Sequence, residues 1–147
     1  MITAIKTAQA MESWERILSE SITTPEQLSR FMEIDVSAVG KVLPRYPMCI
    51  NPYYLSLLKD ARDGIYRQAV PDIREITGEE GFQDPLNEEG LSPVPGLTHK
   101  YPDRVLFLIS SRCAMYCRFC NRKRKVGLPS MVTEETIREG LSYIRNT

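Results

Sequence analysis

The chain has 147 residues, 42% of them hydrophobic, and its 19 basic and 19 acidic side chains cancel to a formal net charge of zero. That is the balance of an ordinary globular protein, with no acidic or basic tail to point to nucleic acid or a membrane surface. No apolar run reaches the roughly 18 residues that a transmembrane helix needs, so no membrane partner is expected.

The N-terminus, MITAIKTAQAMESWERI, has no apolar core and no cleavage-site pattern of a secretory leader, so a cytoplasmic chain with reduced cysteines is expected. Residues 11–20 read as a short helix with Trp14, Ile17 and Leu18 on one side. Thr24-Pro25-Glu26-Gln27 is a helix start, with Thr24 as cap, Pro25 at the first helical position and Gln27 closing a capping box. Leu28, Phe31 and Met32 continue it as a helical stripe. Asp35 caps a further helix carrying Val36, Val39, Val42 and Leu43, stopped by Pro44. Asn51-Pro52 opens another, with Tyr54, Leu57 and Leu58 as its apolar face, and 64–70 reads as helix up to Pro71. Residues 72–98, rich in Gly, Pro and acids, read as an extended connector.

The pattern then changes. Residues 104–110, RVLFLIS, form a continuous apolar run with β-branched members, the signature of a strand buried on both faces of a parallel sheet. A cysteine-rich loop follows. Residues 133–146 read as an amphipathic helix with Ile137, Leu141 and Ile144 inward. Strand, loop, helix is the opening unit of an α/β barrel, whose sites lie at the C-terminal ends of the strands. The expected fold class is therefore α/β, with a helical N-terminal region and connector over 1–98 and the start of a barrel over 99–147.

The chemistry concentrates in CAMYCRFC, residues 113–120, which sets Cys113, Cys117 and Cys120 in a C-x3-C-x2-C spacing. Three thiols so close in sequence cannot share one face of a helix or strand, and they fit a loop wrapped around a compact metal centre. A 4Fe–4S cluster usually takes four thiolates, so three leave one iron open to a ligand. Two other readings stand beside this one: a Cys3His zinc site completed by His99, or a disulfide pair. Cys49 lies far from the loop in sequence and reads as a small buried hydrophobe. Charge is also uneven. Lys100, Arg104, Arg112, Arg118 and the run Arg122, Lys123, Arg124, Lys125 face the single acid Asp103 over that stretch, and the N-terminal hundred residues carry the compensating acids.

The spacing, with Phe119 in the aromatic slot, resembles the signature of the radical S-adenosylmethionine (SAM) superfamily. NPYYLSLL (51–58), IYRQAVPDIREI (65–76) and the block from DPLNEEGLSPVPGLTHKYPDR through the cysteine loop to Gly127 resemble the lysine 2,3-aminomutase family of radical SAM enzymes, over most of the chain from about Trp14 onward. The resemblance implies a helical N-terminal region followed by a partial radical SAM α/β barrel. It implies three cofactors: a 4Fe–4S cluster, SAM and pyridoxal 5′-phosphate (PLP). The implied activity is that of an isomerase that moves an amino group between the α and β carbons of an amino acid, L-lysine to β-lysine in the first reading. Glutamate or a protein-bound lysine is the substrate in the alternative readings, and a non-catalytic truncated iron–sulfur chain is a further one. A small amino acid and a reducing electron donor are the implied partners, with homo-oligomers at full length and no nucleic acid.

Residue by residue, the resemblance implies Cys113, Cys117 and Cys120 as cluster ligands and Phe119 against the SAM adenine. It implies Lys100, Tyr101 and Arg104 around the PLP phosphate, and Arg122 on the substrate carboxylate, which a planar guanidinium can bind bidentately. A plainer reading makes Arg122 part of a solvated basic run, Tyr101 a packing residue and Arg104 a strand flank. The family often has His where Phe119 stands and Arg where Lys100 stands; Phe offers no ring nitrogen and Lys no bidentate fork. The family's Gly-Gly-acid motif and its PLP lysine are not in the chain, which reads as an N-terminal fragment. These 147 residues alone are expected not to catalyse the rearrangement.

Overall fold

The computed structural model describes residues 14–61, 63–78 and 82–147. The part of the first expected helix before Trp14, and most of the N-terminal stretch read for a leader, lie outside the described residues. Among the described residues, six short helices occupy the first half: α1 (Trp14–Ser19), α2 (Pro25–Leu28), α3 (Val36–Val42), α4 (Pro52–Leu55), α5 (Gly64–Ala69) and α6 (Arg74–Thr77). Two strands follow, β1 (Leu97–Tyr101) and β2 (Arg104–Phe107), then a 3-10 turn at Pro129–Met131 and the longest helix, α7 (Glu134–Asn146).

The helix starts follow the capping chemistry of the sequence. Thr24 accepts from the Gln27 N–H while the Gln27 side chain accepts from the Thr24 N–H, closing the expected capping box on α2. Asp35 accepts from the Ala38 N–H at 2.9 Å and Asn51 from the Tyr54 N–H at 2.8 Å, so both act as the expected N-caps. The helices they start are short. Phe31 and Leu57 fall past the ends of α2 and α4, and Phe31 is 63% exposed, so neither extends its stripe as expected. The stretch read as connector contains α6, which its Pro and Gly content hid.

Helices this short cannot hold themselves and depend on tertiary packing. Ile22, Leu28, Met48, Ile50, Ala69 and Val70 form the core. Ile22 and Ile50 exchange backbone hydrogen bonds of 2.8 and 3.0 Å across it, an isolated antiparallel bridge. Met115, from the cysteine loop, packs on the same cluster.

The strand expectation needs correction. β2 ends at Phe107 and pairs antiparallel with β1, with Leu97 opposite Phe107 and Thr98 opposite Leu106. Pro102-Asp103 makes the turn, and an irregularity falls between Thr98 and Tyr101. The sheet has two strands and is open. Leu106 and Ile109, expected to be buried, are 42% and 69% exposed. An apolar run fixes what a strand can pack against; the hairpin turn makes β1 its ladder partner. The described residues form a mixed helix–strand chain with one small, open, two-stranded sheet.

The expected inward face of α7 also differs. Leu141 and Ile144 are exposed, and the buried position is Gly140, where a Cβ would overlap the Phe107 ring. The hydroxyl of Tyr143 lies 2.7 Å from His99 Nδ1, tying α7 to β1. Of the expected stripe Ile137 is half-buried while Leu141 and Ile144 are not covered, so Gly140 and a polar contact mark where the helix docks.

Candidate functional site

Residues 113–120 form no helix or strand; the loop is shaped by contacts to the N-terminal helices. The Tyr116 N–H donates to the Cys49 carbonyl at 3.0 Å, and the Arg118 N–H to the Gln68 carbonyl at 2.8 Å. The Asn51 side-chain amide, beyond its capping role, donates to the Ala114 carbonyl at 2.9 Å. Each bond crosses a long stretch of sequence, and together they seat the loop on α4 and α5.

The Arg118 side chain is the deepest anchor, 6% exposed. It donates from Nε and Nη2 to both oxygens of Glu75, at 3.0 and 2.8 Å. It also donates to the carbonyls of Pro47 at 2.8 Å and Tyr46 at 3.3 Å. A buried guanidinium needs such saturation, since an unpaired one is costly. Burial raises the Glu75 carboxyl, but the Arg118 bonds, the Asp72 N–H and the Lys123 charge outweigh it and hold the group below the usual carboxylate range.

The loop places Cys117 and Cys120 half-buried and Cys113 exposed, all as free thiols. Burial pushes the Cys117 thiol up, and the charges of Cys113 and Cys120 push it further, so Cys117 lies within electrostatic reach of each of the other two. Among the described residues no three His, Cys, Asp or Glu side chains converge to hold a metal ion. His99 has Nδ1 bonded to Tyr143. Three thiolates repel one another, and closing around a common point takes the charge of an ion. As a donor set, three soft sulfur ligands on one loop, they fit an iron–sulfur cluster in their chemistry.

Cys49 differs from its expectation. It is half-buried, and it lines a cavity of about 450 Å³ together with Trp14, Arg112, Cys113 and Tyr116. Burial raises its thiol, and Cys113 adds to the rise.

Lys100, Tyr101, Arg104 and Arg122 line a second cavity, of about 490 Å³, with Glu88 and Thr98 and an apolar side of Leu86, Val105 and Leu106. The structure thus brings these four expected site residues into one place. The Lys100 ammonium lies 5.8 Å, and the Arg104 guanidinium 5.7 Å, from the centre of the Tyr101 ring. Arg104 also pairs with Asp103, an exposed ion pair. Arg122 is paired and half-buried rather than a fully solvated cation: it donates through Nε (3.1 Å) and Nη2 to the two oxygens of Glu88, whose side chain is 6% exposed. Phe119 lies apart, 68% exposed, on a cavity of about 260 Å³ shared with Tyr46, Glu75, Cys120 and Lys123.

The basic run is paired throughout. Lys123 reaches Glu75 at 3.3 Å, Arg124 reaches Asp84 and Glu89 at 2.9 and 2.8 Å, and Lys125 reaches Glu89 at 3.4 Å. Desolvation opposes it, but the N–H groups of Glu88 and Glu89 and the Arg124 guanidinium hold the Asp84 carboxyl well below its ordinary range. The acids of the connector are therefore the counter-charges of the loop. Sequence reasoning did not single out Glu75, Glu88 or Arg118; the surplus of bases over 100–125 and of acids over 72–98 was the signal available.

No protein-family model matches the chain. Relatives are clear. The chain is 42% identical over 139 residues to the L-lysine 2,3-aminomutase of Methanococcus maripaludis, covering 88% of this chain and 32% of the relative. It is 41% identical over 141 residues to the L-lysine 2,3-aminomutase of Acetoanaerobium sticklandii, covering 91% and 34%. To the glutamate 2,3-aminomutase of Clostridioides difficile it is 34% identical over 143 residues, covering 91% and 34%. The chain spans about a third of the length of the curated relatives it matches. Over that span it belongs to the lysine 2,3-aminomutase family.

Proposed function

We propose that this chain carries the cluster-binding loop and part of the cofactor and substrate cavity of a radical SAM, PLP-dependent amino acid 2,3-aminomutase. The observation that carries the reading is the 490 Å³ cavity, where Lys100, Tyr101, Arg104 and Arg122 meet. Cations and a hydroxyl around an apolar wall suit a ligand with anionic groups and a flat ring. The names of the relatives support the amino acid chemistry.

In this reading Cys113, Cys117 and Cys120 hold the cluster, leaving one iron for SAM, and Phe119 offers its exposed ring to the adenine. Lys100 and Arg104 neutralise the PLP phosphate and Tyr101 supplies a hydroxyl. The bound groups supply a carbon radical by reductive cleavage of SAM and an electrophilic aldehyde that holds an amino group. The chain's own residues orient and neutralise. Glu88 takes Nε and Nη2 of Arg122, and Nη1 has no hydrogen bond to a described residue, so that edge of the guanidinium is the one for a substrate carboxylate.

L-Lysine is the first substrate reading and glutamate the second. The lysine ammonium calls for an acid, and the acid in this cavity, Glu88, is committed to Arg122. Discrimination between the two side chains therefore lies outside this cavity. The test is product analysis under anaerobic reduction with SAM and PLP, in the protein that carries this chain at its natural length. β-Lysine or β-glutamate is the expected product. Neither product from cluster-loaded protein overturns the assignment.

A further inference from the structure

Glu75 is not among the residues lining the proposed substrate cavity, and it lines a different one beside Cys120 and Phe119, where it grips the cysteine loop twice. Both of its oxygens bind Arg118, two residues before Cys120, at 3.0 and 2.8 Å. One of the same oxygens binds Lys123, three residues after Cys120, at 3.3 Å. Its own place is fixed by the Asp72 N–H at 3.0 Å, at the start of α6. Beyond it, Tyr46 completes the frame: its carbonyl accepts from Arg118, and the Lys123 ammonium lies 4.2 Å from its ring centre.

We infer that Glu75 is a positioning residue for the metal-binding loop, clamping both flanks of Cys120 through Arg118 and Lys123. The inference rests on the proposed cluster reading and extends it to a residue outside the thiols. A carboxylate suits the task because it binds one guanidinium along two bonds and still accepts from an ammonium. The buried pair resists rotation of the loop backbone at residues 118–123, so Cys120 presents its sulfur from a fixed position. Residues around a metal site that hold its ligands in place typically set affinity by factors of about ten to a hundred when removed.

The test compares the wild-type chain with Glu75→Gln, which keeps the shape and removes the charge. Both are reconstituted anaerobically with iron and sulfide, and iron release to a chelator and the EPR signal of the reduced protein are recorded. Glu75→Gln should lose iron about ten-fold faster or more, with an altered EPR signal, while its far-UV circular dichroism matches wild type. A merely structural role would lower the unfolding midpoint and leave the release rate and EPR signal unchanged wherever the chain is folded. Equal release and equal EPR signals overturn the clamp alone. A wild-type chain that takes up no iron overturns the cluster reading and the clamp with it. Should Glu75→Gln lose the wild-type dichroism, Lys123→Gln decides, because it removes only the half-buried arm. Faster release there supports the clamp, and wild-type release overturns it.

Discussion

Glu88 binds Arg122 along a single edge of the guanidinium, Nε to Oε2 at 3.1 Å and Nη2 to Oε1, and the carboxylate is almost wholly buried. The two residues lie 34 positions apart, so the pair ties the residues just after the cysteine loop back to the segment before β1. Arg122→Met leaves that carboxylate buried without its partner. The expected cost is about 1–3 kcal/mol of folding stability, read by urea unfolding. An unchanged midpoint would mean that Glu88 is not buried against Arg122 in solution.

The Glu75–Arg118 pair is more deeply buried, with side chains 12% and 6% exposed. Arg118→Ala removes the main partner of that carboxylate, leaving Lys123 and the Asp72 N–H, and should cost about 3 kcal/mol by denaturant titration. A loss below about 1 kcal/mol would place the pair in solvent-like surroundings.

Acid should act through the same carboxylate. Glu75 titrates lower in the folded chain than in the unfolded one, despite burial, because Arg118 hydrogen bonds favour its charged form. Its stabilisation is thus fully present above the unfolded value of about 4.3 and is lost as pH falls through the lower folded value. Asp72, held at about 2 chiefly by its side-chain bond to Arg74, contributes with the same sign. Unfolding midpoints measured from pH 7 downward should be flat to about pH 5 and then fall, less steeply in Glu75→Gln. A midpoint that rises on acidification would contradict the sign.

Gly140 offers a packing test away from the site. A methyl there overlaps the Phe107 ring, so Gly140→Ala should destabilise by about 1–3 kcal/mol even though alanine is the better helix former. Phe107→Leu in the same background should recover part of the loss. A stabilised Gly140→Ala would show that α7 does not rest on β2.

The helix caps were legible because capping is local chemistry: Thr24, Asp35 and Asn51 each bond within three residues. The cysteine loop was legible by spacing. What the sequence hid is non-local. Nothing within RVLFLIS says that its ladder partner is the preceding strand, or that Leu106 and Ile109 stay exposed. Arg122 to Lys125 read equally well as a solvated run, and only the fold brings Glu75, Asp84, Glu88 and Glu89 to them. Gly140 as the docking point of α7 was hidden by the louder stripe of Ile137, Leu141 and Ile144. Pairing of that kind depends on chain reversal, which composition reports only as a balance of charge.

The central claim is that Cys113, Cys117 and Cys120 hold an iron–sulfur cluster with one iron open to SAM. Its most direct measurement is anaerobic iron–sulfide reconstitution of the chain, followed by iron analysis and EPR after reduction, with and without SAM. The account predicts a brown protein with about four irons per chain, an EPR signal that changes on adding SAM, and loss of the cluster in Cys117→Ser. A colourless chain that retains zinc, or a cluster whose signal ignores SAM, would contradict it.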